Sequence, residues 1–248
     1  MGYPATTPTR PTVQEPAPTR RELRRARRRR QIADAALKIV VEAGIDALTM
    51  PRLARELEIA VGGLYRYFDS KDHLLVSLEL IALETYSARA DQRLMGLQLP
   101  DDAPPQVRAL ARIWALLRSW TEFSAQEPTR YRLLETLVTD PRLLLDDEAQ
   151  EQVQAHIDPV LRRCGDLLES AVEVGALDPG DPEVRVHVVW GALQGTALFR
   201  KQDQRRPAHL SASNLADAIT ESILVGWGAD PAQLQVARGL VDPPQGRA

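Results

Sequence analysis

Residues 49–68 read TMPRLARELEIAVGGLYRYF. Thr49 is a good N-cap, Pro51 falls in the first turn, and Leu53, Ala54 and Leu57 recur at helical spacing, which predicts a short helix. A second short helix is predicted to begin near Val61 and end around Phe68, with Leu64 and Phe68 four apart on its buried side. Two short helices about three residues apart have the spacing of a helix-turn-helix. That motif makes a specific demand. Its first helix buries an apolar face on a supporting helix, and its second presents small or polar residues to a major groove about 12 Å wide.

The supporting helix lies upstream, from about Arg24 to Ala43. Ile32, Ala36, Ile39, Val40 and Ala43 form one apolar stripe on a 3.6-residue period, and Gly44 stops the helix. Ahead of the stripe, residues 20–30 read RRELRRARRRR, eight arginines with one glutamate. Such a run reads as an arm leading into the first helix, as a solvated face, or as the polar start of that helix. Residues 1–19, in which Pro4, Pro8, Pro11, Pro16 and Pro18 alternate with Thr and Ala, are expected to be a disordered tail.

Charge follows the same division. The whole chain of 248 residues carries 31 Lys plus Arg against 34 Asp plus Glu, a net charge of −3. That total points away from nucleic acid only if it is evenly spread. Residues 1–73 carry a net +5 and the remainder a net −8. A basic N-terminal part joined to an acidic body points to an anionic polymer or surface as partner. Cys164 is the only cysteine, so an intrachain disulfide is excluded, and a reducing, cytoplasmic setting is expected. No signal-peptide pattern and no apolar run of about 18 residues appear, so no membrane partner is expected.

Downstream of the motif, a helix capped by Asp69 or Ser70 runs through Leu74, Leu75, Leu78, Ile81 and Ala82 toward Gly96. Beyond Pro100 the long segments again have helical periodicity, over about 104–126, 129–139, 147–175, 182–202 and 212–228, with Asp158-Pro159 expected to kink or divide the third. No stretch alternates at period two. The fold class is all-α, with about nine helices.

From about Arg28 to Leu80 the sequence resembles the DNA-binding domain of the tetracycline-repressor (TetR) family of bacterial transcription regulators. The resemblance rests on Gly44, Leu48-Thr49, Leu53-Ala54 with Leu57, Gly62, Leu64-Tyr65, Tyr67-Phe68, and the closing Ser70-Lys71 with Leu74. It implies a helix-turn-helix domain over residues 27–87 and a helical effector-binding and dimerisation domain over 88–230; residues 231–248 are expected to be a flexible tail. The chain departs from the family pattern at Glu58, where a turn glycine is usual, at Ala60, where Ser or Thr caps the second helix, and at Gly63. A lost N-cap costs roughly 0.5 to 2 kcal/mol, and each glycine weakens a helix by about 1 kcal/mol relative to alanine.

Candidate DNA contacts follow. The Thr49 hydroxyl can bind a phosphate oxygen. The family resemblance implies phosphate contacts for Lys71, Tyr65 and Tyr67. Val61, Gly62 and Gly63 lie where base edges are read, with apolar contact to thymine methyls as their chemistry, and Arg52 and Arg66 are candidate direct readers. Arg27, Arg28, Arg29 and Arg30 are candidates to cross into a minor groove or to neutralise phosphates.

In the body, Gly191 and Gly195 form a small-residue face, bordered by Val188, Ala192 and Leu198. Together with Leu215, Ile219 and Ile223 it resembles the family's four-helix dimer interface. Trp114, Trp120, Phe123, Tyr131 and Trp190 are candidate walls of a pocket for a small apolar or aromatic effector. Cys164 reads as core packing. His73, His156, His187 and His209 have no metal-ligand spacing, and no phosphate loop or nucleophile elbow is present, so no metal, no cofactor and no enzymatic activity are expected. The function expected is a ligand-responsive repressor that binds a palindromic operator in double-stranded DNA as a homodimer. The alternative is an interaction protein that binds nucleic acid or an anionic surface without operator specificity.

Overall fold

A computed structural model describes residues 19–139 and 147–242. The tail expected before Thr19 lies outside these residues. Among the described residues there are ten α-helices joined by turns and short 3-10 segments, and no strand. The described residues divide into two compact units, one up to Asp69 and one from Ser70 onward.

The first unit holds three helices. α1 (Arg20–Ala43) is capped by Thr19, whose hydroxyl accepts the Glu22 N–H at 3.3 Å while Glu22 Oε2 accepts the Thr19 N–H at 2.7 Å. This capping box starts the helix at the arginine run, so the run is the first turns of α1 and no extended arm. The apolar stripe buries from Ile32 onward, through Ala36, Ile39 and Val40, while Ala43 is exposed. Gly44, at φ 85°, ends the helix by donating its N–H to the Val40 carbonyl at 2.9 Å. α2 (Met50–Glu56) packs against α1, and α3 (Val61–Leu64) packs against α2.

The second unit is built around α5 (Pro105–Gln126), which is covered on most sides and buries Leu110, Ile113, Trp114, Leu117, Trp120 and Phe123, while Arg108, Arg112, Arg118 and Glu122 keep to its more open side. Around it pack α4 (Lys71–Gly96), α6 (Pro128–Thr139), α7 (Asp147–Glu173), α8 (Pro182–Ala197), α9 (Ala212–Gly226) and α10 (Pro231–Val241). Because α4 packs on α5, α6 and α7, the unit boundary falls at residue 69 rather than at the expected 87. Pro159 does not divide α7, which continues through it.

α10 corrects the expectation of a flexible tail from residue 231; the last six residues of that tail lie outside the described ones. Asp230 caps α10 by accepting the Gln233 N–H at 2.9 Å, Pro231 occupies its first turn, and Leu234 and Ala237 are buried, 2% and 0% exposed. An Asp-Pro start followed by apolar residues three apart is a helix signal, and it accounts for the extra helix over the nine expected.

Candidate nucleic-acid interface and ligand cavity

The turn between α2 and α3 is set by three backbone hydrogen bonds. Leu57 N–H donates to Leu53, Glu58 N–H to Arg55 at 3.1 Å, and Ile59 N–H to Ala54 at 3.0 Å. The last two, spanning three and five residues, are the pair of a Schellman motif. It puts Glu58 at φ 54°, the only non-glycine with positive φ among the described residues. The same bond pattern ends α7 at Gly175 (φ 69°) and α9 at Gly228 (φ 94°). Glu58 therefore occupies a position that elsewhere in this chain is glycine. Ala60 stands at the N-cap of α3 and offers no side-chain bond.

α3 is a single turn, shorter than the span to Phe68 that the pattern predicts, since Gly62-Gly63 propagates a helix poorly. The chain stays coiled to Phe68, with Tyr67 and Phe68 N–H groups both donating to the Leu64 carbonyl at 2.8 and 3.0 Å. Leu64 and Phe68 are buried, anchoring one side. On the other, Gly62, Tyr65 and Arg66 are exposed, and Val61, Gly63 and Tyr67 are half-buried. A Cβ on Gly62 would meet nothing within 4 Å, and one on Gly63 would meet Ile59 Cδ1 only at 3.7 Å. Protein packing therefore does not require either glycine.

Thr49 is exposed at the N-cap of α2, where its hydroxyl accepts the Arg52 N–H at 3.3 Å and keeps its own proton free to donate. Lys71 is the first residue of α4, capped by Ser70. In the arginine run, Arg29 lies over the Phe68 ring at 5.0 Å, Arg28 donates to Gln31 at 3.1 Å, and Arg30 pairs with Asp34 at 3.6 Å. These groups are largely exposed and keep their charge at the surface. A helix about 10–12 Å across does not enter a minor groove about 6 Å wide, so the helical run is suited to phosphates and not to the minor-groove crossing that an extended arm would allow.

The second unit contains a cavity of about 270 Å³ between α4, α5, α7 and α8. Trp120 and Trp190 line it. Tyr131 stands behind its wall, donating its hydroxyl proton to Gln194, which does line it. Trp114 and Phe123 are core residues instead. Trp114 gives its N–H to Asp242 and lies under Arg238, and Phe123 meets the Tyr86 ring edge-on at 5.6 Å. Cys164 reaches the cavity wall, and burial pushes its thiol up to about 12, so it stays a thiol.

Glu79 is a cavity residue that the sequence pattern did not single out. It sits on α4, 1% exposed, with neither carboxyl oxygen hydrogen-bonded among the described residues, and burial pushes its pKa up to about 8. An acidic residue within the Leu74–Ala82 apolar stripe was the available signal.

On α8 Val184 and Val188 are exposed, as is Leu198 just past its end, by 71%. Gly191 and Gly195 have open space where a Cβ would stand. Leu215, Ile219 and Ile223 are half-buried on α9, which packs beside α8.

Residues 32–78 match the family model described as bacterial regulatory proteins, tetR family. The HTH-type transcriptional repressor KstR of Rhodococcus jostii is 34% identical over 126 residues, which are 51% of this chain and 52% of that protein. The chain spans about half the length of the first curated relatives it matches. Two solved structures share the fold. RolR in complex with resorcinol has a TM-score of 0.58 at 19% identity, over 90% of this chain and 96% of that one. AibR in complex with isovaleryl coenzyme A and operator DNA has a TM-score of 0.55 at 17% identity, over 79% and 97%. Residues 32–78, which hold the helix-turn-helix, are thus similar to the tetR family of bacterial regulatory proteins.

Proposed function

We propose that this protein is a transcriptional regulator that binds a palindromic operator as a homodimer and responds to a small apolar effector, acting as a repressor in the cytoplasm, without a cofactor and without catalysing a reaction. The observation that carries this reading is α3, whose two glycines are not required by any packing in the unit. Both weaken the helix by about 1 kcal/mol relative to alanine. A helix that presents bare backbone beside Val61 and Arg66 is suited to close approach to a duplex. Thr49, Arg52, Tyr65 and Tyr67 then hold phosphates around it, Lys71 is a further candidate phosphate ligand, and the arginine turns of α1 add charge that displaces counterions.

The exposed apolar face of α8 and the stripe on α9 support pairing of two copies. Two-fold symmetry then matches two half-sites about one helical turn apart, roughly 34–36 Å. Effector binding in the cavity shifts the population toward a state that no longer fits that spacing.

Electrophoretic mobility shift with genomic fragments, in competition with random duplex, tests the reading. Retention of one fragment against a hundredfold excess of random duplex supports it. Equal competition by random duplex favours the alternative, a protein that binds anionic polymers through its arginine helix.

A further inference from the structure

A buried carboxyl with no partner needs an explanation, because leaving both oxygens unsatisfied in an apolar site is costly. Glu79 is such a group, and it opens into the cavity whose other walls include Leu83, Leu117, Ile157 and Leu193. The indole N–H of Trp120, on the same wall set, also has no nitrogen or oxygen partner among the described residues. We propose that the effector is a compact, largely apolar molecule bearing an uncharged hydroxyl, and that this hydroxyl exchanges hydrogen bonds with the Glu79 carboxyl. The proposal rests on the ligand-responsive reading above and names the chemistry that its cavity selects.

Three features determine that chemistry. The cavity, about 270 Å³, lies just below the range usual for ligand sites, about 300–1,000 Å³, so the enclosed part of the ligand is compact. The walls are aliphatic and aromatic, so the bulk of the ligand is apolar. The burial that keeps Glu79 protonated at neutral pH penalises any ionised ligand group placed beside it, and no Lys or Arg among the described residues lines the cavity. A protonated carboxyl both donates and accepts, which matches a hydroxyl, and the Trp120 N–H supplies a second donor to an oxygen. A carboxylate ligand would bring a negative charge without a partner.

The full-length protein is titrated by calorimetry with three matched probes: 4-propylphenol, 4-propylanisole, in which the hydroxyl proton is replaced by methyl, and 4-propylbenzoate. The expected result is at least tenfold tighter binding of the phenol than of either other probe. Glu79→Leu brings the phenol-to-anisole ratio close to one. Glu79→Gln, which still donates and accepts, keeps it within about threefold of the unmodified protein. A merely structural Glu79 leaves that ratio unchanged in Glu79→Leu, and this outcome overturns the proposal. Equal binding of phenol and anisole by the unmodified protein, preference for the benzoate, or binding of none of the three also overturns it. Operator affinity is measured alongside. If the phenol binds with the expected preference but operator affinity does not change, the ligand-responsive reading fails while hydroxyl recognition at Glu79 stands.

Discussion

Trp114 donates its indole N–H to the Asp242 carboxylate at 3.2 Å, joining the central helix of the second unit to the end of α10. Asp242 also accepts from Arg93 at 3.0 Å, and Arg118 approaches it at 3.6 Å. The contact makes Trp114 a core residue and α10 part of the folded body. Asp242→Ala leaves a buried indole N–H without an acceptor and is expected to destabilise the protein by about 1–3 kcal/mol. Leu234→Ala is expected to cost about 2–5 kcal/mol. Urea unfolding of each variant checks both values, and a flexible segment would show neither loss.

The Schellman turn at Glu58 makes a prediction of opposite sign. A non-glycine residue in the left-handed region costs roughly 1–2 kcal/mol. The space is already used as glycine space, as at Gly175 and Gly228. Glu58→Gly is therefore expected to stabilise the helix-turn-helix unit by about 1 kcal/mol, seen as slower amide exchange in α2. Faster exchange would show that the Glu58 side chain contributes more than its backbone conformation costs.

Gly62→Ala and Gly63→Ala separate stability from binding. Neither added Cβ meets a tight contact, so each is expected to stabilise α3 by up to about 1 kcal/mol. Operator affinity is expected to fall at least tenfold for Gly62→Ala, because its Cβ stands where the duplex must approach. Unchanged affinity, measured by mobility shift, would remove α3 from the interface.

These three cases show how far the sequence was legible. Helices with a strong stripe and a clear cap, such as α1 and α5, could be read directly because their burial follows a local period. The glycine position at Glu58 was legible through the family resemblance, and its conformation follows from the bonds of the turn. The arginine run could not be assigned from charge alone, since helix and arm have the same composition, and the Thr19–Glu22 capping box decides between them. Glu79 left a trace in the sequence, an acid inside an apolar stripe, but its place in a cavity wall and the separation of Trp120 from Trp114 were not legible. Which side of an apolar helix faces a cavity depends on partners far away in sequence.

Glu79 also sets a dependence on pH. Its ordinary pKa is near 4.5 and burial raises it to about 8 in the folded protein. Below about pH 4.5 both states hold the proton and its contribution to stability is fully present. Between 4.5 and 8 the unfolded chain ionises while the folded one does not, so stability is lost as pH rises through that window. At about 1.36 kcal/mol per pH unit the loss is at most about 5 kcal/mol by pH 8. Glu79→Gln removes it. The expected result is a stability gain over the unmodified protein that is small at about pH 5 and grows toward pH 8. The other titratable cavity groups, Tyr86, Cys164 and His187, are present in both proteins and cancel in the difference. A gain independent of pH in urea unfolding would contradict the burial argument.

The arginine turns of α1 are expected to set salt dependence. Replacing Arg27, Arg28, Arg29 and Arg30 by alanine should reduce the slope of log affinity against log salt by about 0.9 for each phosphate that these side chains neutralise. An unchanged slope would show that they do not touch DNA.

Selection of bound duplexes from a random pool by the full-length protein tests the central claim most directly. Enrichment of a palindrome, with two half-sites about one helical turn apart, is the predicted result. A bound pool no more alike in sequence than the starting pool would contradict it.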